Sequence, residues 1–240
     1  MSSEKHLALI LDAPMQSWGF ASRFQRRTTG MHPTKSGLLG MICAAMGVPK
    51  GSPLEGETLP WLSALSMTTL VIPRHHPRRP EQALPILRLE DFHTVGGGYD
   101  SKTQSQFMTK TASGKTNPNP VVSRRQYLLE ARFGVIFKGE GDFVSKIATA
   151  LQNPVWGIWF GRKSCIPAEP VCRGVYDTES EALKVLIGDR SVESFTRQTD
   201  VSSFEDGTDS YSDVPESFGS RKFTSRRIRL DIKTVTDSEI

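Results

Sequence analysis

Apolar positions along this chain follow two periods. Residues 6–13, HLALILDA, form a short aliphatic run that predicts a buried strand. Residues 14–33, PMQSWGFASRFQRRTTGMHP, hold no clean period and read as a loop with a basic stretch at Arg23, Arg26 and Arg27. A helix follows. Thr34 or Ser36 can cap it, Leu38, Leu39, Ile42, Ala45 and Met46 supply an apolar face, and Gly47 and Pro49 stop it. Gly37, Gly40, Cys43 and Ala44 keep that helix slim enough for close approach to a sheet.

Residues 65–72, LSMTTLVI, predict a second strand, which PRHHPRRP at 73–80 breaks off as a surface turn. Residues 83–95, ALPILRLEDFHTV, predict an extended segment, and 121–137, VVSRRQYLLEARFGVIF, another. Between them, residues 96–120 are glycine, serine, threonine and asparagine with few apolar side chains and cannot build a core of their own. Two arrangements fit, a long hairpin with a mobile tip or a plain disordered loop. A strand at 130–139 and a helix at 142–154 come next, with Phe143, Ile147 and Leu151 four apart and Asp142 as its cap. Residues 180–187 predict a helix, residues 204–216 a solvated acidic loop, and residues 217–232 an alternating basic segment. A strand–helix–strand unit thus occurs at 6–72 and again at 131–160. This order permits, without compelling, an α+β domain with an antiparallel ferredoxin-like sheet.

The chain has 240 residues, 30 Lys+Arg and 26 Asp+Glu, a formal net charge of +4. The excess is small, so its distribution matters more than its sum. Cys43, Cys165 and Cys172 have no zinc spacing, and their odd number argues for a reducing compartment over a disulfide framework. The apolar run near the N-terminus is too short for a signal peptide or membrane span, so a soluble cytoplasmic protein is expected. His6, His32, His75, His76 and His93 form no metal spacing, and the nucleophile-elbow, phosphate-loop and dinucleotide patterns are missing. No cofactor or metal is expected. A metal-free ribonuclease remains open, using His32 or His93 with Tyr99, Tyr127 or a nearby lysine.

Cations gather at element ends: Arg23/Arg26/Arg27, Lys35, Arg124/Arg125, Arg162/Lys163 and Arg221, Lys222, Arg226, Arg227, Arg229. Phe20, Phe24, Tyr127, Phe160 and Gly161 lie beside several of them. Charge for phosphates with rings that stack bases is the composition of a single-stranded nucleic-acid surface. The helix start adds free N–H groups at residues 35–38, a lysine and a serine hydroxyl. Lysine in a first turn opposes the helix dipole unless an anion is near, which favours a bound phosphate there.

Several stretches resemble one family. LILDAPMQSWG (9–19), GMHPTKSGLLGMICAAMG (30–47), LRLEDFHTVGG (87–97), VSRRQYLLEARFGV (122–135), PVWGIWFGRKSC (154–165) and, loosely, VPESFGSRKF (214–223) are similar in kind and order to the CasD family, the CRISPR-associated RAMP subunit of type I-E Cascade. The resemblance implies a ferredoxin-like (RRM-like) RAMP domain over 1–160 with a protruding β-hairpin thumb at about 93–126. It implies a smaller C-terminal β portion over 161–235 and a tail at 236–240. It implies a non-catalytic subunit that binds the 5′ handle of the crRNA and caps the backbone subunits. The implied partners are a CasC-type backbone subunit and a CasA-type large subunit, with target DNA near the seed end. A related type I-C branch cuts pre-crRNA with a Tyr-Lys-His arrangement, which no stretch here matches, and that activity is the alternative. With the basic clusters, the resemblance assigns RNA contacts to Gln16, Trp18, Arg26, Arg27, Lys35, Ser36, His93, Arg124, Arg125, Arg162, Lys163 and Arg221. Residues 186–213 match nothing in the family pattern.

Overall fold

The computed structural model describes residues 3–19, 25–111 and 113–232. Phe20, Arg23, Phe24 and the tail at 236–240 lie outside them. In chain order the elements are β1 (Glu4–Asp12), β2 (Met15–Gln16), β3 (Arg26–Arg27), α1 (Lys35–Met46), α2 (Pro53–Ala64) and β4 (Ser66–Val71). Then come β5 (Arg74–His76), β6 (Arg79–Leu84), β7 (Leu87–Val95), β8 (Thr109–Lys110), β9 (Thr116–Asn117) and β10 (Val121–Leu129). The rest are β11 (Arg132–Glu140), α3 (Gly141–Gln152), β12 (Cys172–Tyr176), α4 (Glu179–Ile187), β13 (Arg197–Val201), β14 (Asp209–Ser217) and β15 (Lys222–Asp231). Among the described residues no helix is long and apolar enough to cross a membrane.

One seven-stranded sheet carries the molecule, in the order β12-β1-β11-β4-β13-β15-β14. Its first four strands, with α1 and α3, make the ferredoxin-like unit, each pair antiparallel. β1 lies between β12 and β11 and is buried on both faces, which explains its unbroken aliphatic run. Leu7, Leu9 and Leu11 join the core under α1 and α3, while Ala8 and Ile10 meet Ala182, Leu186 and Ile187 of α4. The strand that completes the unit is β12, beyond the boundary at residue 160 drawn from the sequence. The C-terminal strands are likewise no separate sheet, because β13 pairs with β4 and prolongs the first one.

The thumb is a hairpin inserted between β4 and β11. β7 and β10 pair from Leu87↔Leu129 to Val95↔Val121. Its polar tip holds a miniature hairpin of β8 and β9, so a plain loop is the reading that falls. Two more expectations change. Glu140 caps α3, accepting from the N–H of Asp142 (3.2 Å) and Phe143 (2.8 Å), and Asp142 sits inside the first turn. α2, to which the periodicity reading gives no element, starts at a Ser52 cap with proline at its first position.

The larger correction concerns residues 204–216. Only residues 204–208 are a solvated turn: Asp209–Ser217 is β14, with Asp213, Val214 and Pro215 buried. The Asp213 carboxylate accepts the N–H of Lys35 at the α1 start (2.7 Å) and takes two bonds from the Arg226 guanidinium (2.7 and 3.1 Å). Lys35 Nζ pairs with Asp200 Oδ2 (3.0 Å) and donates to the Leu65 carbonyl; Arg226 also reaches Asp200. Two cations and two carboxylates thus neutralise each other where water is excluded. Burial opposes the Arg226 charge, but the bonds and charges of Asp213 and Asp200 outweigh it and raise its pKa above the usual value. The anion that the basic helix start called for is therefore the protein's own Asp213, on a strand 178 positions away, with Asp200 answering the Lys35 charge.

A second clamp joins α2 to the β14–β15 turn. Glu55 accepts from the N–H groups of Gly51 (2.8 Å) and Gly219 (3.1 Å) and from the Ser217 hydroxyl (3.1 Å). Burial pushes its pKa up, but these bonds outweigh that and hold the carboxyl below its ordinary value.

Asp213→Asn keeps the shape and removes the charge facing Arg226 and Lys35. Breaking a buried charge set costs about 3–5 kcal/mol, so urea unfolding should register a loss of that order. Ser36→Ala, in the same helix turn, should change stability by less than about 0.5 kcal/mol. Glu55 predicts an acid effect. Its depressed folded pKa stabilises the fold above the ordinary value of 4.5, and that contribution is lost as pH falls through the lower folded value. Glu55→Gln should lower Tm at neutral pH and flatten the acid limb of a Tm–pH profile.

Candidate nucleic-acid interface

β10 is the spine of a four-stranded sheet. It pairs with β7 on one side and, on the other, with β2 (antiparallel) and β3 (parallel). Side chains alternate between the two faces of such a sheet. Asp91, His93 and Leu89 of β7, Arg125 and Tyr127 of β10 and Arg27 of β3 line one face. The 160–165 turn closes over it with Arg162, Lys163 and Ser164, leaving a cleft of about 660 Å³. Arg27, Arg125, Arg162 and Lys163 face a single carboxylate, Asp91, in this lining.

The cleft wall is held from inside. Gln16 is fully buried; its amide donates to the carbonyls of Leu11 (3.0 Å) and Ala131 (2.7 Å) and accepts from Trp18 Nε1 (3.1 Å). Trp18 is buried against Phe160, ring centres 6.1 Å apart, and against Gly37 of α1, where a Cβ would sit 3.0 Å from its ring. The Ser17 N–H bonds the Phe160 carbonyl (3.1 Å) and its hydroxyl the Gln126 carbonyl (3.1 Å). Gly161, at φ +92°, passes so near that a Cβ would lie 1.8 Å from the Ser17 carbonyl oxygen.

Arg162 does the last part of this joining. Its guanidinium donates to the carbonyls of Gln126 (3.1 Å) and Arg27 (3.1 Å) and lies 4.6 Å over the Tyr127 ring. The fork expected on RNA is used on the backbone of β10 and β3, and it fixes both edges of the cleft. Lys163 is exposed, with its ammonium 5.8 Å over Trp159. Arg125 is steadied by Ser123 (3.0 Å), and His93 Nδ1 stands 3.6 Å from Asp91 Oδ2.

The candidate residues therefore divide. Arg27, His93, Arg125, Arg162 and Lys163 come together. Arg26 and Arg124 fall on the opposite face of the same sheet. Gln16, Trp18 and Lys35 are corrected: their polar atoms are spent inside the fold. Ser36 lies on α1, whose first N–H is taken by Asp213, so the helix start offers no phosphate cradle. Arg221 is exposed on the β14–β15 turn and is absent from the cleft lining. The rest of the C-terminal basic cluster is paired: Lys222 with Glu216, Arg226 as above, Arg227 over Phe204, Arg229 with Asp231. Asp91 and Ser164 were missed; the extended pattern EDFH, read in register with SRRQY, held the signal for Asp91. Among the described residues no cluster of three or more histidine, cysteine or acidic side chains could hold a metal ion.

Lysine cannot serve two carbonyls and a ring from one planar group. Arg162→Lys should therefore loosen β3 from β10 by about 1–2 kcal/mol, read as faster amide hydrogen exchange at residues 121–129 with α3 unchanged.

The model of the CRISPR-associated protein family Cas_Cas5 matches residues 6–229. The CRISPR system Cascade subunit CasD of Escherichia coli strain K12 is 26% identical over 187 residues, 76% of this chain and 75% of that protein. A chain of a solved CRISPR RNA-guided surveillance complex superposes with TM-score 0.70 at 30% identity, covering 97% of this chain and 92% of that one. A crystallised Cas protein gives TM-score 0.62 at 25% identity, over 95% of each. The family match spans the ferredoxin-like unit, the thumb and the C-terminal strands alike, and the chain belongs to the CRISPR-associated Cas5 family.

Proposed function

We propose that this chain is a non-catalytic subunit of a type I CRISPR surveillance complex, working in the cytoplasm, where it holds the 5′ handle of the crRNA in the cleft under the thumb. The observation that carries the reading is the cleft lining: Arg27, Arg125, Arg162 and Lys163 against Asp91, beside Tyr127 and His93. Cations at that density neutralise a phosphate backbone, and a basic cleft with a ring in its wall suits a single strand. The likeness to a chain of a surveillance complex and to a Cascade subunit supports assembly of the same kind. On this reading the thumb meets a CasC-type backbone subunit, with a CasA-type large subunit and the seed end of target DNA nearby.

A second reading has one observation in its favour. His93, Tyr127 and Lys163, the residue types of the RNA-cutting branch, line the same cleft, with Asp91 beside His93. General acid–base cleavage needs groups that reach the scissile phosphate. Tyr127 is almost wholly buried and capped by Arg162, which favours holding over cutting.

Affinity for repeat RNA, measured against salt, tests the first reading. Arg125→Ala and Lys163→Ala should each reduce the slope by roughly 0.7, the single-strand value per phosphate, and should weaken matched and scrambled handles alike. Unchanged slopes in both variants would remove the cleft from the RNA path. Incubation of repeat RNA with the purified chain should leave it intact; cleavage that disappears in His93→Ala would establish the second reading instead.

A further inference from the structure

The face of the small sheet that turns away from the cleft carries an arrangement of its own. Alternation sends Asp91, Arg125 and Arg27 into the cleft, so their neighbours Phe92, Arg124 and Arg26 point the other way. These three share one rung: Phe92 stands opposite Arg124 in the β7–β10 pair, and Arg124 beside Arg26 in the β10–β3 pair. Phe92 is 65% exposed. Among the described residues Arg124 makes one long ion pair, with Glu90 at 3.9 Å, and no ion pair holds Arg26. A bare ring beside Arg26 and an Arg124 held only by that long contact to Glu90 is how a sheet stacks a base while its phosphates are neutralised.

The same face continues toward the base of the thumb into a second cleft of about 590 Å³. Arg88 and Gln126 form its floor, residues 28–34 one wall, and Tyr211 and Leu230 another. His32 lies in that wall. Burial lowers its pKa to about 4, so the ring is uncharged at neutral pH, and its buried Nδ1 has no hydrogen-bond partner. Arg88 makes no ion pair among the described residues. The Gln126 amide nitrogen donates to Glu90 (3.3 Å), which leaves its side-chain oxygen and the Arg88 guanidinium to meet a base edge beside the uncharged His32 ring.

We propose that this second face binds an unpaired nucleotide segment, one base stacked on Phe92 with its phosphates at Arg124 and Arg26, and the neighbouring base lodged in the cleft of Arg88, Gln126 and His32. The inference rests on the reading of the chain as an RNA-holding subunit and extends it. The strand that lies in the first cleft turns over the edge of the four-stranded sheet and is gripped from both sides. Phosphate contacts position it on one face; stacking and base-edge contacts select it on the other.

The test uses the full chain and a single-stranded repeat oligoribonucleotide carrying a fluorescent adenine analogue at successive positions. One position should be quenched on binding. Phe92→Ala should abolish that quenching and weaken binding about five- to a hundredfold, while leaving the salt slope unaltered because no charge is removed. Phe92→Tyr should restore both, and Phe92→Leu, which keeps apolar area without a ring, should not. Quenching and affinity unchanged in Phe92→Ala would overturn the proposal. Arg125→Ala and Lys163→Ala should lower the slope and keep the quenching, so failure of the first cleft is read separately. A deoxyribonucleotide strand of the same sequence, bound with equal affinity and the same quenched position, would show that the face takes any unpaired strand; quenching with ribose alone assigns it to RNA.

Discussion

The buried charge set of Lys35, Asp200, Asp213 and Arg226 decides how this molecule is put together. It ties the first turn of α1 to three C-terminal strands and so makes one sheet of what would otherwise be two modules. Such a set gains little over a well-packed apolar core, because desolvation consumes most of the Coulomb attraction. Its worth lies in being unsatisfiable in any other arrangement. If β13–β15 were shifted by one residue, Asp200, Asp213 and Arg226 would turn to the opposite faces of their strands and leave Lys35 buried without an anion.

From that frame the basic cleft follows. The QSW segment fills the corner between β1, α1 and β10 with buried hydrogen bonds and a tryptophan against Phe160. That corner fixes the 160–165 turn, and Arg162 then pins β3 to β10. A cleft that must recognise a flexible strand gains affinity when its own side chains need no ordering on contact. Here the side chains that position the wall are inside, and on the proposed reading the cations left exposed are those that meet phosphate.

The thumb sheet presents cations on both of its faces. Arg124 and Arg125 are adjacent in sequence, as are Arg26 and Arg27, yet each pair splits across the sheet. A basic doublet on a strand thus serves two faces, and pairing two doublets in parallel register gives each face a matched pair of guanidiniums.

The local pattern of the chain was enough for most of the fold. Period carries β1, β4, β11, α3 and α4, and period with a Thr34 cap carries α1, because each depends on neighbours within a few residues, while the α3 cap and the choice of hairpin over loop in the thumb needed the structure. The family motifs were legible for the same reason. Which cations were free was decided only by tertiary structure. Lys35 looked like a phosphate ligand and is answered by Asp200 from 165 positions away; Arg226 belonged to a basic cluster and is buried with Asp213. The segment with Asp213 looked solvated because acidic residues are rarely buried, and nothing local shows that a lysine and an arginine will meet it. Gln16 and Trp18 looked like RNA ligands and are spent on hydrogen bonds inside the fold. Charge burial and face assignment are set by long-range partners and strand register, which local hydrophobic period does not encode.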